Sequence, residues 1–384
     1  MDKIEEIITR SVTNIIPSKE ELEKLLRSGK KLNIYLGIDP TATRIHIGNG
    51  VTLRKLQEFV ELGHKVTFII GDFTALIGDS SDKESERPRL SYEEIQENFK
   101  TYKAQASKIL DFSKVKVRFN GEWLKKLNFV EVVKLCQHYS VGDFVSRELI
   151  KKRLYEGKKV GLHELLYPVM QGYDSYFMDT DIQIGGADQT FNMQAGRTLQ
   201  KDFRNKESFV LVTGYLEGTD GRKMSKSWGN AIWITDNPDE MFGKVMSIKD
   251  DLIVQYFRNA TNTSEAKIKE VEDRLKKGEN PLNIKKDLAF NVVSELHNKE
   301  DAEKAQKSFE KTFQEQKPEF TKEIESKGNI SPTIAQTVGS ISEAKRLISQ
   351  GAVDVNGKTV SDPTLQINSG DEIKVGTKIF VKVK

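Results

Sequence analysis

Polar and apolar residues alternate from Lys31, and the run ends on an apolar stretch at Ile38, as in a buried strand. Asp39-Pro40-Thr41 breaks it. From His46 onward, Val51, Leu53, Leu56, Phe59 and Val60 recur at helical spacing. The same rhythm follows downstream. Val66 to Ile70 predicts a second strand. Ser91, with Glu94 three positions on, opens a capped helix reaching about Leu110, and Val115 to Phe119 predicts a third strand. Residues 121–162 interrupt the alternation with helical patterns and a basic stretch from Arg147 to Lys159. The alternation then resumes as a helix over His163–Met178, a strand at Ile182–Ile184, a helix over Ala187–Gln200 and a strand at Phe209–Thr213. Gly214 to Gly229 is a loop rich in glycine and lysine. Alternating strands and helices predict an α/β, doubly wound parallel sheet, split by a helical insertion, which binds ligands at the carboxyl ends of its strands.

Both ends of the chain depart from that rhythm. Ile4, Ile7, Ile8, Leu22, Leu25 and Leu26 predict helix throughout residues 1–30, with Ser18 and Glu21 as a capping box. Residues 237–312 are charged, with helical spacing and no strand signal. Gln316 to Pro332 is polar and holds two prolines, as a linker does. Residues 333–384 predict a compact α+β module. In it Ser340 and Glu343 cap a helix, Gly351 ends it, and Asn356-Gly357 turns a hairpin. The expected division is 1–236 with an insertion at about 121–162, then 237–325, then 330–384.

Composition narrows the function classes. The chain of 384 residues has 60 basic and 57 acidic side chains, 37% hydrophobic content and a net charge of +3. That balance fits a globular protein and leaves any RNA contact to a local patch. Cys136, the single cysteine, excludes an internal disulfide and a cysteine-built zinc site, and is expected in the core. No apolar run reaches the roughly 20 residues of a membrane span, and the N-terminus lacks a signal-peptide core. A cytoplasmic protein is expected.

Four constellations carry chemistry. The strand, turn and helix N-terminus from Tyr35 to Asn49 make an anion site, because the first helical N–H groups have no partner within the helix. Lys223 and Lys226, in Lys-Met-Ser-Lys-Ser between Gly221 and Gly229, can swing onto a triphosphate and neutralise a departing pyrophosphate. Loop lysines are usually only solvated; the flanking glycines and embedded Met224 argue otherwise. Tyr167, Gln171 and Asp174 fall four and seven positions apart, on one helix face. A phenol, an amide and a carboxylate together suit an amino acid's ammonium and polar side chain. Gly185-Gly186-Ala187-Asp188-Gln189 follows a strand, where glycine allows close backbone approach and the acid can take ribose hydroxyls.

His46-Ile47-Gly48-Asn49 and Lys223–Ser227, in this order on a split parallel sheet, resemble the paired signatures of class I aminoacyl-tRNA synthetases. Tyr35-x-Gly37-x-Asp39-Pro40-Thr41, Tyr167-x-x-x-Gln171-x-x-Asp174 and Gly185-Gly186-x-Asp188-Gln189 narrow the resemblance to the bacterial-type tyrosyl-tRNA synthetases. Ser342 to Gly357 looks like the small RNA-binding domain shared with a ribosomal small-subunit protein. The resemblance implies a Rossmann-like catalytic domain, a helical anticodon-side domain and an RNA-binding domain. It implies that Tyr35 and Asp174 bond the substrate phenol, that Tyr167, Gln171 and Asp79 hold its ammonium, and that Asp39 and Gln189 line the same pocket. Gly37, Gly48, Asn49, Gly186 and Asp188 are expected at the nucleoside of ATP, with Thr41, His46, Lys223, Lys226 and Ser227 at the phosphates. Asn49 stands where histidine is usual; its amide can still donate a hydrogen bond. Lys345 and Arg346 are expected to face RNA, and the basic stretch either solvent or the tRNA acceptor end. The implied partners are L-tyrosine, ATP with Mg²⁺, tRNA(Tyr) and a second copy of the chain; no protein-held metal and no membrane are expected. Two other readings stay open, a tryptophan-specific relative and a synthetase-derived RNA-binding protein without catalysis.

Overall fold

The structure is a computed structural model that describes residues 2–41, 43–79, 91–225, 228–313, 322–376 and 379–384. The chain forms two compact units, residues 1–302 and 303–384.

The first unit is built on a six-stranded sheet in the order β1-β6-β5-β2-β3-β4. The strands are β1 (Val12–Ile16), β2 (Asn33–Ile38), β3 (Lys65–Ile70), β4 (Lys116–Phe119), β5 (Ile182–Gly186) and β6 (Phe209–Thr213). All neighbours pair in parallel except β1 with β6, with Val12 opposite Thr213. This is the Rossmann-like sheet expected from the alternation. The helix Ile47–Glu61 lies across β2, β3, β5 and β6, and Thr190–Arg204 lies against β5 and β6. The interruption after β4 is helical: Gly121–Leu124, Phe129–Cys136, Val141–Val145 and Glu148–Tyr155.

Four sequence expectations need correction. Residues 1–30 are not helical throughout; Val12–Ile16 is an edge strand, its partner supplied by β6, about 200 residues away in sequence. Local spacing cannot show such a pairing. The helix from Tyr92 ends at Ala106, four residues short of Leu110. The stretch Gln316–Pro332 is not linker throughout: among its described residues, β7 (Lys322–Ile324) is a strand, and Pro332 sits in the first turn of the helix Ile330–Val338. Proline fits there because the first N–H groups have no helical acceptor. Finally, Arg153 is not a solvated basic residue. It is 4% exposed and forks onto Glu164 at 2.6 and 3.0 Å.

Downstream helices complete the first unit. Arg10 donates to the carbonyls of Arg258 and Thr261, at 3.0 and 2.5 Å, at the end of the helix Ile253–Ala260. Tyr256 donates to the carbonyl of Glu217 at 2.7 Å. In the second unit the helices Ile330–Val338 and Ile341–Ser349 share one core with the sheet β7-β11-β10-β8-β9. Its further strands are β8 (Val353–Val355), β9 (Lys358–Thr359), β10 (Glu372–Val375) and β11 (Ile379–Val383). Ile334, Ile348, Val353, Ile373 and Val381 form its core. Asn356 and Gly357 make the two-residue hairpin turn, both with positive φ. Among the described residues no helix is long and apolar enough to cross a membrane.

Candidate active site

The strand β2 delivers the chain to the sheet's carboxyl edge, and the helix Ile47–Glu61 starts directly beyond. His46 is its N-cap. Its Nδ1 accepts from Asn49 N at 3.2 Å, and Asn49 Oδ1 accepts from His46 N at 3.3 Å, a reciprocal box. Burial, with the Lys223 ammonium nearby, pushes the imidazole down to about 4. The ring is therefore neutral at pH 7. Because Nδ1 accepts, the ring proton sits on Nε2, a donor suited to phosphate. Asn49 spends its oxygen on the cap, so its amide N–H₂ is the end left for a nucleoside.

The loop that follows β6 comes back to this turn. Ile47 N donates to Ile232 O at 2.9 Å, and Ile234 N donates to Ile45 O at 3.0 Å. Met224, in the same loop, is 4% exposed. Asn230, also buried, accepts from Ser225 N at 2.9 Å and donates to Lys223 O at 3.2 Å and to Asp220 Oδ1 at 2.8 Å. Gly221 and Gly229 both adopt the left-handed region, φ +82° and +66°, where a side chain is strained. Lys226 and Ser227 lie outside the described residues.

Beside this turn lies a cavity of about 290 Å³. Tyr35, Gly37, Asp39, Thr41, Asn49, Asp79, Tyr167, Gln171, Asp174, Asp188 and Gln189 all line it. His46, Gly48, Gly186 and Lys223 lie outside that lining. Tyr167, Gln171 and Asp174 share a face of the helix Leu162–Phe177, as their spacing predicts. Tyr167 Oη donates to Asp39 Oδ2 at 2.8 Å, and Thr74 Oγ1 donates to Asp39 Oδ1 at 2.7 Å. Gly71 makes that possible: a Cβ there would lie 2.0 Å from Asp39 Oδ1. Gln189 Nε2 donates to Asp79 Oδ2 at 2.7 Å.

Asp174 is 4% exposed, and burial raises its carboxyl to about 7. Two donors hold it back from rising further, Trp123 Nε1 at 2.7 Å and Asn120 Nδ2 at 3.1 Å. Asp39 and Asp72 push it upward. Tyr35 is buried beside it, and donates to Gln183 Oε1 at 2.9 Å. Sequence reasoning misses Thr74, Asn120, Trp123, Gln183 and Asn230. Thr74, Asn120 and Trp123 stand on elements remote from the motifs, while Gln183 and Asn230 lie within three residues of one, yet no spacing singles them out. We expect Tyr35→Phe to lower the tyrosine-over-phenylalanine ratio of kcat/KM about tenfold, through loss of one buried hydrogen-bonding group. Parallel kinetics with the two amino acids check this; an unchanged ratio would remove Tyr35 from the phenol end.

Cavity chemistry is divided. Four carboxylates, Asp39, Asp79, Asp174 and Asp188, face it, which suits an ammonium and ribose hydroxyls. The neutral His46 and the cationic Lys223 sit together beyond it. Residues 27–314 match the family model of class I tRNA synthetases (W and Y), and residues 335–373 match that of the S4 domain. The first model spans tryptophan and tyrosine enzymes alike. The curated relatives separate them. The tyrosine–tRNA ligase of Carboxydothermus hydrogenoformans is 45% identical over 98% of this chain and 97% of its own length. That of Thermotoga maritima is 42% identical over 98% and 96%. The chain belongs to the tyrosine–tRNA ligase family. Solved tyrosyl-tRNA synthetases share the family fold. A C-terminally truncated mitochondrial one from Aspergillus nidulans has a TM-score of 0.67 at 20% identity, covering 81% of this chain and 93% of that one. The Archaeoglobus fulgidus enzyme, solved with L-tyrosine, has a TM-score of 0.63 at 24% identity, covering 79% and 98%.

Proposed function

We propose that the chain charges tRNA(Tyr) with L-tyrosine at the cavity by the carboxyl end of β2. The observation that carries this reading is the meeting of Tyr35 and Asp39 with Tyr167, Gln171 and Asp174 in one lined space. Tyr35 and Asp174 take the phenol. Tyr167, Gln171 and Asp79 take the ammonium, with Asp39 and Gln189 fixing their neighbours. Gly37, Gly48, Asn49, Gly186 and Asp188 take the nucleoside of ATP. Thr41, His46, Lys223, Lys226 and Ser227 take its phosphates. The tyrosine carboxylate oxygen attacks the α-phosphorus, and the bond to the bridging oxygen breaks, releasing pyrophosphate. A hydroxyl of the tRNA's terminal adenosine then attacks the carbonyl carbon and AMP departs. No protein nucleophile enters; the residues position the reactants and stabilise charge. Among the described residues no three or more His, Cys, Asp or Glu gather to hold a metal. A Mg²⁺ ion arriving with the nucleotide would neutralise charge on its phosphates.

The same reading gives the chain three domains, 1–236 for catalysis, 237–325 on the anticodon side and 330–384 for RNA, in a cytoplasmic homodimer. Phe129, Val130 and Val133 support the dimer: they are 82%, 63% and 44% exposed on one short helix of the 121–162 insertion. Such a cluster is usual at a protein interface. Sedimentation should give about twice the 43.6 kDa chain mass; the chain mass itself would contradict the dimer. Arg346 now forks onto Glu343, and must exchange that exposed partner for phosphate. Reversing both charges, Lys345→Glu with Arg346→Glu, should raise KM for tRNA about tenfold and leave pyrophosphate exchange unchanged. Charging of tRNA with labelled tyrosine tests the function as a whole. Charging with tryptophan alone, or none by folded protein, would overturn it.

A further inference from the structure

Asp174 is gripped from behind by rings that have no part in the reaction as described above. Trp123 is 2% exposed and donates its indole N–H to Asp174 Oδ1 at 2.7 Å. Its ring lies on Phe177, with centroids 4.6 Å apart and planes at 17°. The Arg118 guanidinium stands 5.2 Å from the Trp123 ring centre and 5.8 Å from that of Phe177. Arg118 is itself held: Nε donates to Glu122 Oε2 at 2.7 Å, and the second nitrogen reaches the same oxygen at 2.6 Å. Glu122 also accepts from Phe119 N at 3.2 Å.

The chain geometry gives this stack a purpose. Phe177 is the last residue of the helix Leu162–Phe177, three positions beyond Asp174. One helix therefore holds Trp123 twice, at its N–H through Asp174 and at its face through Phe177. Phe177 is 42% exposed, so core burial alone is a poor account of so large a ring at that position. A flat ring held only by its one N–H can tilt about its Cβ bonds; a second ring and a guanidinium against it remove that freedom. The N–H then stays on Oδ1, and the carboxylate keeps one orientation toward the cavity.

We propose that Phe177 and Arg118 are positioning residues for tyrosine selection, acting through Trp123 on Asp174. The proposal rests on the assignment of Asp174 to the substrate phenol. Loss of the stack loosens the indole donor. The groups facing Asp174 are then Asn120, the Asp39 and Asp72 carboxylates, and the Tyr35 and Tyr167 phenols. With one donor fewer and two acids near, the carboxyl holds its proton to higher pH. A protonated Asp174 accepts poorly from a phenol.

The test is pyrophosphate exchange with tyrosine and with phenylalanine by the full-length protein, over roughly pH 5.5 to 8.5. Phe177→Ala should lower the tyrosine-over-phenylalanine ratio of kcat/KM about threefold to tenfold at neutral pH. It should also move the acid limb of kcat/KM for tyrosine upward. Phe177→Tyr, which keeps the ring, should restore both, and Arg118→Gln should shift both in the same direction by less. Equal loss for both amino acids with an unmoved acid limb would overturn the proposal, leaving Phe177 a merely structural residue. Asp174→Asn runs alongside. If it abolishes the ratio while Phe177→Ala leaves it intact, the proposal alone fails; if it leaves the ratio intact, the assignment of Asp174 fails and the proposal with it.

Discussion

Asparagine in place of Asp174 is expected to lower kcat/KM for tyrosine by up to about 100-fold and to erase most of the preference over phenylalanine. The carboxylate accepts from Trp123 Nε1 on one oxygen and from Asn120 Nδ2 on the other. An amide has a single acceptor, so its N–H₂ must face one of these donors. The unsatisfied buried donor costs about 1–3 kcal/mol of stability, with or without substrate, while the charged acceptor lost to the phenol is worth about 1.5–3 kcal/mol in kcat/KM. The lost acceptor alone reaches the stated factor at its upper end, at about 1.4 kcal/mol per tenfold. The pH dependence has a defined sign. Burial raises the acid to about 7, and only its ionised form accepts well from a phenol. Tyrosine kcat/KM should therefore fall as pH drops through that region, and the limb should vanish in the variant. Exchange kinetics against pH measure both effects, with thermal melting to verify folding. A variant that retains the limb would show that another group titrates.

His46→Asn should cut the rate of adenylate formation about 100-fold while changing KM for tyrosine little. The choice of asparagine isolates the chemistry. His46 caps the helix Ile47–Glu61 by accepting from Asn49 N, and asparagine is among the strongest N-caps. The helix is thus preserved, while the Nε2–H proposed for the phosphate is lost. A single preorganised donor to developing charge is worth about 10²–10³ in rate. His46→Ala should lose the same rate and about 1 kcal/mol of stability besides. Single-turnover adenylate formation and urea unfolding, run on both variants, separate the two losses. Full activity in His46→Asn would leave His46 only a helix cap.

What the sequence reveals and what it hides have physical causes. Tyr35 to Asn49 is legible because strand, turn and helix are contiguous, and each has its own period. Tyr167, Gln171 and Asp174 are legible because 3.6 residues per turn brings the three to one face. Asn120 and Trp123 are not, although they make the bonds that set the Asp174 carboxyl. They stand at the carboxyl end of β4, and their meeting with a helix some 50 residues later depends on sheet order, which no local pattern encodes. The edge strand Val12–Ile16 is hidden for the same reason, its pairing supplied by β6. Arg153 reads as surface charge until its partner Glu164 is seen beside it. The Lys223 loop is announced by its motif, but the residue that anchors it from inside, Asn230, is not.

The central claim is that this cavity activates tyrosine and discriminates by the phenol. ATP–pyrophosphate exchange, measured with each standard amino acid in turn on the purified full-length chain with Mg²⁺, tests it most directly. The account predicts exchange that depends on tyrosine, with phenylalanine and tryptophan far behind. Exchange driven by tryptophan and not tyrosine, or none in folded protein, would contradict it.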